Sequence, residues 1–201
     1  MRSVSLMGST NTTAGSADSR EFMRPLTSRV SQVLHTCYAV TGTMLLTTNA
    51  AFPQVSVDRE RAELAEAVSA ATETLQAGLS AAAKYGHPIS ARFEIGFEEV
   101  HLSVYVTNEG TLSELLVDRT TGTTSTPDSI EDPQDLANAR AQSAAMAKAT
   151  RSLGDAVGRA LASHPGFHAL SVVPALKGGH PVAEVALVKG TDWRSVPEKL
   201  D

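Results

Sequence analysis

ISARFEIGFEEVHLSVYVTNEGTLSELLVDRTTG, residues 89–122, decides the architecture of this 201-residue chain. Ala91, Phe93, Ile95 and Phe97 alternate with polar residues, and Val100, Leu102, Val104 and Val106 do the same. A period of two puts successive side chains on opposite faces of a sheet, so both runs read as half-buried strands. Asn108-Glu109-Gly110 supplies the turn chemistry of a hairpin, and Leu112 to Val117 reads as a third, more buried strand. The stretch is therefore a three-stranded antiparallel meander whose apolar face needs a cover.

Helical patterns flank it. From about Asp58 to Tyr85 the residues Leu64, Val68, Ala71, Leu75, Leu79 and Ala82 recur at three- and four-residue steps, which makes one apolar stripe. Glu60, Glu63 and Glu66 suit its positive end, and Gly86 and Pro88 stop it. A second helix opens with Asp132 as N-cap, Pro133 in the first turn and Asp135 behind it, and ends at His164-Pro165-Gly166. Its stripe is Met146, Ala149 or Thr150, Leu153, Val157 and Leu161, with Gly154 and Gly158 allowing close packing. Strands follow at Phe167–Leu176 and Pro181–Lys189, joined by a Lys177-Gly178-Gly179 turn, and a short last strand at Val196–Asp201. Pro174 confines its part of the first of these to an edge or a bulge.

Hydrophobic residues make up 42% of the chain, enough for a core, but aromatics only 4%, so close helix packing by alanine carries more of it than large side chains do. The net charge is −5, and no Lys/Arg cluster is present, which argues against nucleic acid or an anionic membrane surface as partner. Met1 to Arg20 is polar and without period and reads as disordered. From Met23, an alternative start, Arg24 and Arg29 precede a moderately apolar Val33–Leu46 core and a small-residue Thr48-Asn49-Ala50 site. That order is similar to a secretory signal peptide and points to a periplasmic or secreted protein with no stable membrane span after processing. Cys37, the sole cysteine, lies inside this segment; removal near Ala50 leaves no thiol, and a net charge of −7 from 13 Lys and Arg against 20 Asp and Glu.

The chain from residue 57 onward repeats itself. Each half holds an Ala-rich helix, a Gly/Pro/His stop, two strands, and a last segment ending in an apolar residue and Asp: Val117-Asp118 in one, Leu200-Asp201 in the other. The expected fold is α+β: two α-β-β-β units, 57–125 and 131–201, with long helices packed on antiparallel sheets, after a 1–51 extension. They form two linked small domains or one pseudo-symmetric domain with a shared sheet. The closing LLVDRTTG, with Val117, Asp118, Thr121 and Gly122 in a V-D-x-x-T-G turn after the third strand, resembles the PepSY family. The second copy keeps Leu200-Asp201 and lacks the Thr-Gly. The resemblance implies an extracytoplasmic, non-catalytic module that engages a protein such as a peptidase or hydrolase; some free-standing members bind metal ions.

Three sets of residues bear on function. Arg92, Glu94, His101, Ser103 and Tyr105 share the polar side of the first two strands. If a helix covers the apolar side, they form an open platform for a protein partner, or simply a solvated sheet face with cross-strand pairs. Glu94, Glu98, Glu99 and Asp118 are acidic, and Glu94 with Asp118 is the alternative: a site for a hard cation, which takes oxygen ligands. No loop has the calcium-binding spacing, however, and a solvated acidic surface explains the group without a metal. His164 and His168 are separated by Pro165-Gly166, which keeps them off one helix face and disfavours zinc. No serine sits in a G-x-S-x-G context, and Lys177-Gly178-Gly179 is too short for a phosphate loop. No motif calls for a cofactor or for catalysis, and Trp193 reads as an anchor of the last segment.

Overall fold

A computed structural model describes residues 54–71, 74–96 and 99–201. The signal-peptide-like segment, Phe97 and Glu98 lie outside the described residues. Among the described residues, four helices and one antiparallel sheet make the fold α+β. In chain order the elements are α1 (Gln54–Ala70), α2 (Leu75–Ala82), β1 (His87–Gly96), β2 (Glu99–Asn108), β3 (Thr111–Val117), β4 (Asp128–Ser129), α3 (Pro133–Met146), α4 (Leu153–Ser163), β5 (His168–Lys177), β6 (His180–Lys189) and β7 (Asp192–Lys199). The seven strands order as β4-β3-β2-β1-β5-β6-β7, so both halves contribute to one sheet and meet where β1 pairs with β5.

The meander forms as its alternation dictates. Phe93 pairs with Leu102 and Ala91 with Val104, so the apolar residues of β1 and β2 share a face, which Leu115 and Val117 extend. Glu109 and Gly110, with φ of 50° and 84°, close the β2–β3 hairpin in the left-handed conformation that a two-residue turn requires. Gly178 and Gly179 do the same between β5 and β6.

The helices differ from the sequence reading. The expected Asp58–Tyr85 helix is two helices, because Thr74 caps a new start: its hydroxyl accepts from the Ala77 N–H at 3.1 Å. Since α1 begins at Gln54, Glu60, Glu63 and Glu66 lie beyond its first turn. The second expected helix also splits. Ser152 and Asp155 form a capping box that starts α4, while the N–H groups of Thr150 and Arg151 turn away to the Leu200 carbonyl at 2.7 and 3.0 Å. Two further corrections concern strands. β4 forms within the expected 123–132 loop, and the last strand starts at Asp192 rather than Val196. Pro174 belongs to an interior strand, yet β5 pairs with β1 only at Ser171 and Val172, so Pro174 stands where no β1 donor is needed.

α2 and α4 cover the apolar face. Leu75 of α2, Val157 and Leu161 of α4 and Phe93 of β1 line one cleft, and Gln76 Nε2 donates to the Gly154 carbonyl at 3.1 Å where the helices meet. α3 takes the other face: Ser90, on the Arg92 side of β1, donates to Gln142 at 2.8 Å. The sheet is thus a middle layer.

α2 lies close on the sheet at Gly78, where a Cβ would run into the Leu102 side chain, with Val117 also in contact range. A Cβ at Gly154 would meet only the Ser152 hydroxyl, at 3.7 Å. Gly78→Val is therefore expected to lower stability by about 2 kcal/mol through overpacking. Gly154→Ala should leave it unchanged or raise it by up to about 1 kcal/mol. Urea midpoints of the two variants decide.

Candidate functional site

Alternation along β1 and β2 that buries Phe93 and Leu102 on one side necessarily places Arg92, Glu94, His101, Ser103 and Tyr105 together on the other. Arg92 sits opposite Ser103, and Glu94 opposite His101. The five side chains are brought into one network. Arg92 Nε lies 3.0 Å from a Glu94 oxygen, and its Nη2 donates to the Tyr105 hydroxyl at 3.2 Å. The Arg92 guanidinium also lies over the Tyr105 ring, 5.5 Å from its centroid. His101 Nε2 lies 3.7 Å from the other Glu94 oxygen. Gly96 makes that approach possible, since a Cβ there would collide with the His101 ring.

Two acids that the sequence reading did not join to this set complete it. Glu114 of β3 stands opposite Tyr105 and accepts a hydrogen bond from the Ser103 hydroxyl. Asp135 of α3 is 5% exposed and acts on Arg92, Tyr105 and Glu114. The signal for Glu114 was a lone carboxylate in the TLSELLV strand, between Leu112 and Leu115-Leu116. Asp135 was legible only as a helix-dipole partner.

The open platform expected of these residues is largely closed. Ser103 and Tyr105 are 1% and 5% exposed, while the side chains of Arg92, Glu94 and His101 retain 19%, 18% and 14%. Among the described residues every buried side-chain N or O has a partner, as a buried polar layer requires.

Electrostatics separates the acids. Burial opposes ionisation of Glu94, but the hydrogen bond from His101 and the charge of Arg92 outweigh it and hold the carboxyl below the usual range. Burial first, and then the Glu94 charge, push Glu114 up to about 7 against the weaker pull of Ser103 and Arg92. Burial and the Glu114 charge raise the Tyr105 phenol, so it stays protonated. Burial works against the Arg92 charge, and the surrounding acids more than restore it.

Asp118, the other proposed cation ligand, has a different task. Its carboxylate accepts from the backbone N–H of Thr120 and Thr121, both at 2.8 Å, and these bonds, Thr121 first, hold it below the ordinary carboxylate range. Gly122 completes the turn at φ 71°, its N–H on the Asp118 carbonyl. The Asp118 carboxylate thus serves its own turn and that of Glu94 serves Arg92 and His101; no group of three or more His, Cys, Asp or Glu among the described residues is placed to hold a metal ion. His164 caps α4, its Nδ1 2.9 Å from the Ala160 carbonyl, whereas His87 opens β1. Trp193 is half-buried, with the Arg61 guanidinium 5.1 Å from its ring centroid.

No family model and no curated protein matches the chain. Among solved structures, a candidate lipoprotein from Clostridium difficile 630 is similar at 13% identity and a TM-score of 0.37, over 60% of this chain and 80% of that one. No described helix is long and apolar enough to cross a membrane.

Glu114 gives stability a definite pH dependence. A carboxyl with its folded value raised from 4.5 to about 7 binds its proton more tightly folded than unfolded, so its contribution is full below about 4.5 and is lost as pH rises through 7. The lowered groups Glu94 and Asp118 act in the opposite sense and only in the acid range below about 4.5. Urea midpoints between pH 5 and 8 should therefore show a decline worth about 2 kcal/mol. Glu114→Gln should flatten it.

Proposed function

We propose that this protein is an extracytoplasmic binding module of PepSY-like build that engages a protein partner and performs no catalysis. Two related α-β-β-β units, 57–125 and 131–201, would share the sheet. The strand order supports the relation, since β3-β2-β1 and β5-β6-β7 mirror each other about the central β1–β5 pair. So do the two closures: Val117 and Leu200 are both fully buried at the end of their meanders, and the Asp that follows each is held, Asp118 by its turn and Asp201 by His180 at 3.0 Å.

The observation that carries the binding reading is the polar-side face of the second meander. Where the first meander presents Ser103 and Tyr105 buried, β5 and β6 present Val173, Ala175, Val182 and Ala186, all half-buried, beside the Lys177–Glu184 ion pair and Ser195. α3 rests on part of β5 and β6, and the aliphatic side chains that stay partly exposed beside it, next to polar residues, are what a protein interface offers. Arg92 adjoins it across β1 and β5, opposite Ser171, and puts a charge at its border.

A photoreactive residue at Ala175 or Ala186, placed in the full-length chain in its native cells, tests this. The reading expects one discrete cross-linked protein in the exported fraction, lost with Val182→Asp at unchanged melting temperature. Equal cross-linking from Gly110, on the far hairpin, or none from either position would overturn it.

A further inference from the structure

We propose that α3 is a pH-dependent cover on the sheet, seated over the Arg92–Glu94–Glu114 layer in acid and released from it in base. This goes beyond the binding reading and does not rest on it.

The first support is how little apolar surface holds α3. Its buried residues are Asp135, Ala139, Ala145 and Met146, whereas the shorter α4 buries Leu153, Ala156, Val157 and Ala160. Elements with the least apolar burial open at the lowest local free energy. What remains to seat α3 is polar, with Gln142 on Ser90 and Asp135 in the acidic layer.

The second support is the set of charges that face Glu114. From β1 come Arg92 and Glu94; from β2, Tyr105 and the Ser103 hydroxyl, with His101 behind Glu94; from α3, Asp135. From β4, Asp128 is the backbone partner of Glu114 and is exposed. When Glu114 ionises, three carboxylates, those of Glu94, Glu114 and Asp135, share the layer with the Arg92 guanidinium, and one of the three arrives with α3. Lifting α3 lets water reach Glu114, which relieves the largest cause of its raised value, and removes the smaller charge effect of Asp135, while the Glu94 charge on β1 stays. The seated form therefore holds the Glu114 proton more tightly than the lifted form, and raising pH from 4.5 through 7 favours lifting. Between pH 5.5 and 8 the opening constant should rise on the order of tenfold.

Hydrogen exchange on the full chain, corrected for the intrinsic rate at each pH, reads this at the α3 amides of Ala139–Ala145, with those of Val157–Ala160 in α4 as the internal reference. Protection of α3 relative to α4 should fall roughly tenfold from pH 5.5 to 8. Glu114→Gln, neutral and still able to accept from Ser103, should abolish the fall, and Asp135→Asn should reduce it. Protection of α3 that tracks α4 at every pH overturns the proposal, and so does a response undiminished in Glu114→Gln. Should that variant fail to fold, the carboxyl-carbon NMR titration of Glu114 in the unmodified chain replaces it. Titration near 7 supports the proposal, and titration near 4.5 overturns it.

Discussion

The carboxylates of Glu94 and Glu114 lie in a low-dielectric layer with the Arg92 guanidinium, and this arrangement decides what the second face of the sheet can be. A sheet that presents Phe93, Leu102 and Val104 to one side must present the intervening residues to the other, because the side-chain period is two. Here those residues are charged and hydroxylic. Once α3 covers them, each needs a partner within the layer, since a buried polar atom left unpaired costs about 1–3 kcal/mol. Arg92 meets this by reaching Glu94 through Nε and Tyr105 through Nη2, and Ser103 answers Glu114. Glu114 is left with weaker compensation than Glu94, which is why it is pushed toward neutrality.

The same constraint accounts for the broken helices. One long helix in each half, as the stripes suggested, would put all helical surface on one side of the sheet and leave the Arg92 face to water. Ser152 and the Leu200 carbonyl prevent this in the second half, the former by starting a new helix and the latter by drawing off two N–H groups. The chain then passes from α3 on one face to α4 on the other. Leu200 thereby does more than follow β7: its side chain is buried and its carbonyl fixes the crossover.

Strands were legible in the sequence because alternation is a strong local signal, and the hairpins because Gly110 and Gly178-Gly179 can take positive φ. The α+β class followed. The helix breaks were less visible: Thr74 and Ser152 are ordinary residues in a helical pattern until their hydroxyls meet an N–H three residues on. The co-location of Arg92, Glu94, His101, Ser103 and Tyr105 was also legible, since it needs only the register. Their cover was not. Nothing in QDLANARAQSAAM marks a face for the polar side of a sheet, because alanine packs on polar and apolar neighbours alike.

Asp118 shows how a motif can be read correctly for position and differently for role. A carboxylate at the end of a strand, close in sequence to other acids, is a reasonable cation ligand until its lone pairs are counted. Both backbone N–H groups of the Thr120-Thr121 step point at one of its oxygens, and Gly122 takes the left-handed conformation that lets the chain turn back to pair Val117 with Thr124. Withdrawing that carboxylate toward a metal would uncap the turn that closes the meander. The V-D-x-x-T-G pattern is thus accounted for by strand closure.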